Sequence, residues 1–172
     1  MNLMTGDAAD AFFGGEVPAA VHALLHQAAA VTTSQRAALL WTAQALAPSC
    51  LATYYTLYKH HAGQREFELA ERAASRGLAD AAVQAGLPAD WRAVLPSAAH
   101  DFARQGPARF WLFTLKALAF ISLRSGQPEQ ARALLAQIER LDAQAQIGGE
   151  VIAALLASTQ PAPPARSDQA KP

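Results

Sequence analysis

Ala117-Leu-Ala-Phe-Ile-Ser-Leu-Arg-Ser-Gly-Gln-Pro-Glu-Gln-Ala-Arg-Ala-Leu-Leu-Ala-Gln-Ile-Glu-Arg-Leu-Asp142 reads as two antiparallel helices joined by a tight turn. Gly126 can take the left-handed conformation that closes the first helix. Pro128 suits the first turn of the second helix, where a missing N–H costs nothing. Ala119 and Ala131 are small where two packed helices would cross closely, and Leu115, Leu118, Leu135 and Ile138 fill the seam around them. Such a hairpin cannot bury its apolar face alone, so it predicts stacked neighbours and a binding surface rather than chemistry.

The rest of the composition agrees with an all-α fold. Of 172 residues, 42 are alanine, the strongest helix former, and the length suits one domain with a substantial core. Fourteen basic residues balance fourteen acidic ones. That argues against wide-area electrostatic capture of nucleic acid or anionic membrane, while leaving room for a local basic patch. The lone Cys50 has no internal partner for a disulfide, the first fifteen residues hold no Lys or Arg, and no apolar run reaches the length of a membrane span. The expected location is the cytoplasm, with neither membrane nor nucleic acid as partner.

Six or seven helices are expected. Residues 1–16 form a loosely ordered lead-in broken by Gly14-Gly15, and residues 17–157 form the helical domain. Pro18 opens a first helix. Thr32-Thr33-Ser34 caps a second, which Pro48 stops, and Ser49 caps a third that ends at Gly63. In the fourth, Phe67, Ala70, Ala74, Leu78 and Ala81 recur at three and four residues as a core stripe, with Glu68 and Arg72 paired on the polar side. An irregular insertion over about 86–107 follows, carrying one short turn around a buried Trp91. The fifth helix, from Ala108 to Arg124, is apolar nearly all round and belongs at the centre of the fold. Residues 158–172, with four prolines, read as a disordered tail.

The spacing fits tetratricopeptide-like (TPR-like) hairpins, whose unit is thirty-four residues with small residues at its eighth and twentieth positions. Anchoring on Ala131 gives a unit of about 112–145; anchoring on Ala70 gives 51–84, with Tyr58 where a small residue is usual; a first unit of 17–50 matches poorly. The insertion separates the last two units, so hairpins are expected rather than a regular solenoid.

Leu57-Tyr-Lys-His-His61, Gly86-Leu-Pro-Ala-Asp-Trp-Arg92 and Gly106-Pro-Ala-Arg-Phe-Trp-Leu-Phe-Thr-Leu-Lys-Ala-Leu-Ala-Phe120 stand out together. Over roughly residues 36–156 the chain resembles a family of small TPR-like proteins encoded in nitrogen-fixation (nif) gene clusters of proteobacteria. The resemblance implies a cytoplasmic accessory protein acting on nitrogenase or on proteins that assemble or protect it. It offers no catalytic residues to carry over.

Tyr54, Tyr58 and His61 fall at i, i+4 and i+7 on the third helix, beside Tyr55 and Lys59. In TPR proteins the first helix of each hairpin lines the concave groove, so Tyr54, Tyr58, Lys59 and His61, joined by Lys116 of the fifth helix, are the candidate partner-binding residues. The competing explanation is that these rings only pack the core. Their affinity should come from an aromatic anchor more than from long-range charge, so salt should weaken it little. His22 and His26 share a helix face as metal-binding pairs do, yet no further ligand stands near them, and His60, His61 and His100 could complete a site only through the fold. Cys50 begins a helix, where the dipole lowers a thiol pKa, but it has no partner cysteine. His100-Asp101 lacks a placed nucleophile, neither Gly-Gly pair lies in a phosphate loop, and Trp41, Trp91 and Trp111 are most simply packing residues. The function expected is therefore non-enzymatic: a protein-interaction module without metal or cofactor. Its rival is a small-ligand or metal-handling helical protein with a Tyr/His-lined pocket.

Overall fold

Proline and glycine punctuate the chain where helices start and stop. The computed structural model describes residues 13, 15–97, 101, 102, 104, 106–142 and 150–158. Over these it forms seven α-helices and one 3-10 turn, with no strand among the described residues. The helices are α1 (Ala19–Ala30), α2 (Thr33–Leu46), α3 (Leu51–Gly63), α4 (Phe67–Ala85), α5 (Pro107–Arg124), α6 (Pro128–Leu141) and α7 (Glu150–Ser158); the 3-10 turn is Trp91–Ala93. The expected tail beyond residue 158 and most of the lead-in lie outside the described residues.

Three of the helix ends close in the same way. After α5, Gly126 sits at φ 79°, its N–H donates to the Leu123 carbonyl, and the Gln127 N–H donates to the Ser122 carbonyl at 2.8 Å. After α4, Gly86 at φ 66° and the Leu87 N–H repeat this pattern onto Val83 and Ala82. After α3 the left-handed residue is not Gly63, which stays helical, but Arg65 at φ 63°. Arg65 and Glu66 donate back to Ala62 and His61. These paired bonds satisfy carbonyls that each last turn would otherwise leave without a donor. Two caps differ from expectation. Cys50, not Ser49, is the residue before α3, and the Thr32 hydroxyl meets Ser34 and Gln35 side chains instead of capping the backbone of α2. Glu68 and Arg72 form no ion pair among the described residues, where the pairs are His61–Glu66, Arg92–Asp90 and Arg132–Glu129.

Each helix packs on its neighbours in the chain, α1 on α2 and so on to α6, and α7 returns onto α6. A second set of contacts joins the odd-numbered helices: α1 touches α3, α3 touches α5, and α5 touches α7. The odd helices therefore make a row of their own. α5 lies within the stack as its all-round apolar sequence predicts, with Phe110, Trp111, Leu112 and Leu115 fully buried. Alanine and glycine allow the helices to approach. Ala70, Ala73, Ala74 and Ala81 of α4 are buried, and a Cβ added to Gly77 would lie 2.7 Å from Tyr54 Cβ on α3. Ala119 and Ala131 are both fully buried where α5 meets α6. Ala131→Leu should overpack that seam and cost about 1–3 kcal/mol, read as a lowered melting temperature.

Two segments outside the hairpins are tied to them. Phe13, from the stretch expected to be loosely ordered, is buried between Tyr55 and Phe110, with ring centroids 5.3 and 4.9 Å away. The insertion runs across α6: the Gln137 side-chain amide donates to the Trp91 and Val94 carbonyls, and Arg140 donates to the carbonyls of Arg92 and Val94. Trp91 itself is only half-buried, with the Arg92 guanidinium 4.1 Å over its ring; Val94 supplies the buried side chain. The chain then regains the core through Phe102, packed on Trp111.

Candidate interaction groove

The row of odd helices leaves a groove of about 670 Å³ between α3 and α5, with Ile152 of α7 at its side. Helical spacing makes the walls. On α3 they are Tyr55, Tyr58, Lys59 and Ala62; on α5 they are Phe113, Lys116, Ala117 and Phe120, a half-buried stripe whose opposite face is core. Cations sit over three of these rings. Lys59 Nζ is 5.4 Å from the Tyr55 centroid, the Arg109 guanidinium 5.5 Å from Phe113, and the Arg124 guanidinium 5.8 Å from Phe120. Among the described residues of the insertion none lines the groove, and its Trp91 and Val94 carbonyls are bonded to Gln137 of α6.

Of the residues singled out from sequence, Tyr58, Lys59 and Lys116 come together here. Tyr58 forms the buried floor at 5% exposure, and burial followed by the neighbouring Tyr55 pushes its phenol above the ordinary value. Tyr54 and His61 do not line the groove and are instead bonded to side chains of α4 and α2. The Tyr54 hydroxyl donates 2.6 Å to the Asp80 carboxylate of α4, lies 2.7 Å from the Pro48 carbonyl and takes a bond from Gln44. Burial first, then the Asp80 hydrogen bond, raises its pKa to about 12. Tyr55, Phe113 and Phe120 line the groove although they were not among the candidates. For Phe113 and Phe120 the signal was the stripe of aromatic and basic residues spaced three and four apart on α5, which the all-round apolarity of that helix hides.

His61 is buried, with its Nε2 3.2 Å from the Trp41 indole nitrogen and its Nδ1 2.6 Å from Glu66 Oε2. An indole N–H can only donate, so Nε2 accepts, and the ring proton sits on Nδ1 and is donated to Glu66. His60, His61 and Glu66 bring ligand-type atoms within 4.8 Å of one another. A metal on His61 Nδ1 would, however, need a proton on Nε2, aimed at the indole N–H. The donor set fits a hydrogen-bonded brace between α2, α3 and the turn into α4 better than it fits a cation.

His60 is 6% exposed, and its pKa is lowered by burial first, then by His61 and Arg36, against an opposing pull from Glu66. The unfolded chain therefore binds a proton near pH 6.5 that the folded chain resists. His60 stability is present above that pH and is lost as pH falls through it toward the lower folded value. Relative to His60→Gln, the wild-type melting temperature should fall more steeply between about pH 7.5 and about pH 5.

The remaining candidates stay apart from the groove. The His22 and His26 rings lie tilted against each other on α1 with centroids 4.4 Å apart, and among the described residues they belong to no group of three metal-ligand side chains. The Cys50 thiol is pushed up, not down, because burial outweighs the backbone hydrogen bonds from Thr53 and Ala52. Asp101 accepts the Arg104 N–H at 3.1 Å; His100, Gly14, Gly148 and Gly149 lie outside the described residues. No helix of the described residues is long and apolar enough to cross a membrane.

No protein-family model matches the chain, and no solved structure matches it. A protein of Azotobacter chroococcum mcd 1, described as an uncharacterized 19.8 kDa protein in the nifW 5′ region, is 32% identical over 120 residues. The alignment covers 69% of this chain and 67% of that protein. Identity of that extent shows common descent, and the chain belongs to the family of this nifW 5′-region protein.

Proposed function

We propose that the chain is a non-enzymatic protein-interaction module built of TPR-like hairpins, and that it serves nitrogen fixation by docking a nitrogenase component or a factor that assembles or protects nitrogenase. The nitrogen-fixation setting is supported by the relative in the nifW 5′ region. The docking function is supported by one observation above the others: the odd helices form a continuous row whose surface opens into an aromatic and basic groove. Interfaces draw their energy from such anchors, ringed by polar residues.

Tyr58→Ala is a poor test because Tyr58 is part of the buried floor. Phe120 is half-buried and lines the groove. Phe120→Ala bait should bind its partner more weakly by about 2 kcal/mol while keeping the wild-type helical signal. Affinity capture from nitrogen-fixing cells with both baits makes the comparison. Recovery of nitrogenase or its assembly proteins by wild type, reduced by Phe120→Ala, supports the reading. Equal recovery by both moves the interface elsewhere, and absence of any nitrogen-fixation protein removes the nitrogen-fixation role.

A further inference from the structure

We propose that residues 1–12 of this chain occupy the groove, so that a partner docks there only by displacing them; the displacement rests on the docking reading above. The path of the neighbouring chain carries the inference. Gly15, Glu16 and Val17 line a small cavity together with Ser49, Cys50, Leu51 and Ala52, at the start of α3. Phe13 lies further along the same helix, its ring centroid 5.3 Å from Tyr55 and 4.9 Å from Phe110. Read backwards from Val17, the chain therefore advances along α3 toward its C-terminal end. Tyr55 is already a wall of the groove, and the next turns of α3 supply Tyr58, Lys59, Ala62 and Gly63 to it. The segment before Phe13 is thus attached at one end of the groove, and the course of the described chain points into it.

Length suffices whatever conformation the segment takes. From Tyr55 to Gly63 the groove follows α3 for about 12 Å, at about 1.5 Å per residue. Twelve residues span about 18 Å as a helix and about 40 Å when fully extended. The chemistry also matches. Phe113, Ala117, Phe120 and Ile152 give the groove an apolar lining, and the segment offers Leu3, Met4 and Phe12 with the small Ala8, Ala9 and Ala11. Methionine, unbranched and flexible, fills irregular apolar gaps. Covalent attachment over so short a distance gives the segment an effective concentration of about millimolar, so even weak contacts keep it seated. A second copy or a separate partner has no such advantage and must compete with it.

Photocrosslinking on the full chain tests the placement. Ala9 stands four residues before Phe13, about 6–13 Å along in helical or extended form, so both conformations put it within the groove. With Ala9→benzoylphenylalanine, irradiation should join position 9 to residues 58–63 or 113–121 of the same chain, mapped by mass spectrometry of the digest. Crosslinks to α2, α4 or α6, or no crosslink, overturn the proposal. Crosslinks between two chains also overturn it and assign the groove to a second copy. Displacement is read with the apolar dye anilinonaphthalene sulfonate on Phe12→Asp, a variant that keeps Phe13 and should keep the wild-type helical signal. The dye should bind that variant about tenfold more tightly, the factor for a groove covered in about nine-tenths of molecules. Adding Phe120→Ala should abolish the gain. Equal dye affinity for Phe12→Asp and wild type overturns the proposal, because nothing then covers the groove, and a gain that survives Phe120→Ala overturns it because the dye then reports another surface. Docking is decided separately, by affinity capture with the uncovered Phe12→Asp bait: absence of any nitrogen-fixation protein there removes the docking reading and leaves the crosslink result standing.

Discussion

Phe13→Ala is expected to destabilise the protein by about 3 kcal/mol, a cost ordinary for a fully buried phenylalanine and large for a residue outside every hairpin. Phe13 is 1% exposed and packs edge-on against Phe110 while also touching Tyr55. Removing the ring leaves a hole between α3 and α5 that neither helix can close alone, because α4 and α6 hold them from behind. For a domain of this length the melting temperature should fall by roughly 6–12 °C. A change of less than about 1 °C would mean that Phe13 spends its time in solvent and that the lead-in is separate from the fold. Because Tyr55 belongs to both the Phe13 seat and the groove, the variant should also loosen the first groove wall on α3.

Gly77→Ala should cost about 2 kcal/mol, although alanine is the better helix former by roughly 1 kcal/mol. The new Cβ would lie 2.7 Å from Tyr54 Cβ, 3.0 Å from Tyr54 Cγ and 3.4 Å from Phe110 Cε1. Tyr54 Cβ is fixed by the α3 backbone and cannot rotate away. Relief requires α3 and α4 to separate, and the Tyr54 hydroxyl, bonded to Asp80 and beside the Pro48 carbonyl, resists that movement. Gly63→Ala is the matched control. Gly63 is helical and has nothing within 4 Å of an added Cβ, so that substitution should stabilise by about 0.5–1 kcal/mol. Opposite signs for two Gly→Ala changes in adjacent helices, measured by chemical denaturation, would establish the close crossing. The same sign for both would place the helix contact elsewhere.

The sequence by itself determined that the chain is helical and where most helices end. Pro18, Gly86, Gly126 and Pro128 act through their own backbones, so their effect needs no tertiary contact, and all four stand at observed helix boundaries. The core stripe of α4 was equally legible, because one buried face on an amphipathic helix prints a single period. Only the tertiary structure decided what α3 does. Nine of its thirteen residues are buried, so its period names several faces without saying which one meets α4 and which opens to the groove. Tyr54, Tyr58 and His61 share a helical spacing, yet Asp80 draws Tyr54 one way, Trp41 and Glu66 hold His61 inward, and Tyr58 alone of the three reaches the groove. Arg65 shows the same limit in the backbone. A nearby glycine marks the break, but the paired carbonyls of Ala62 and His61 set the left-handed residue two positions later. Burial of Phe13 and the clustering of Lys59, Lys116, Arg109 and Arg124 depend on surfaces that exist only once α3 and α5 stand side by side, so neither composition nor net charge could announce them.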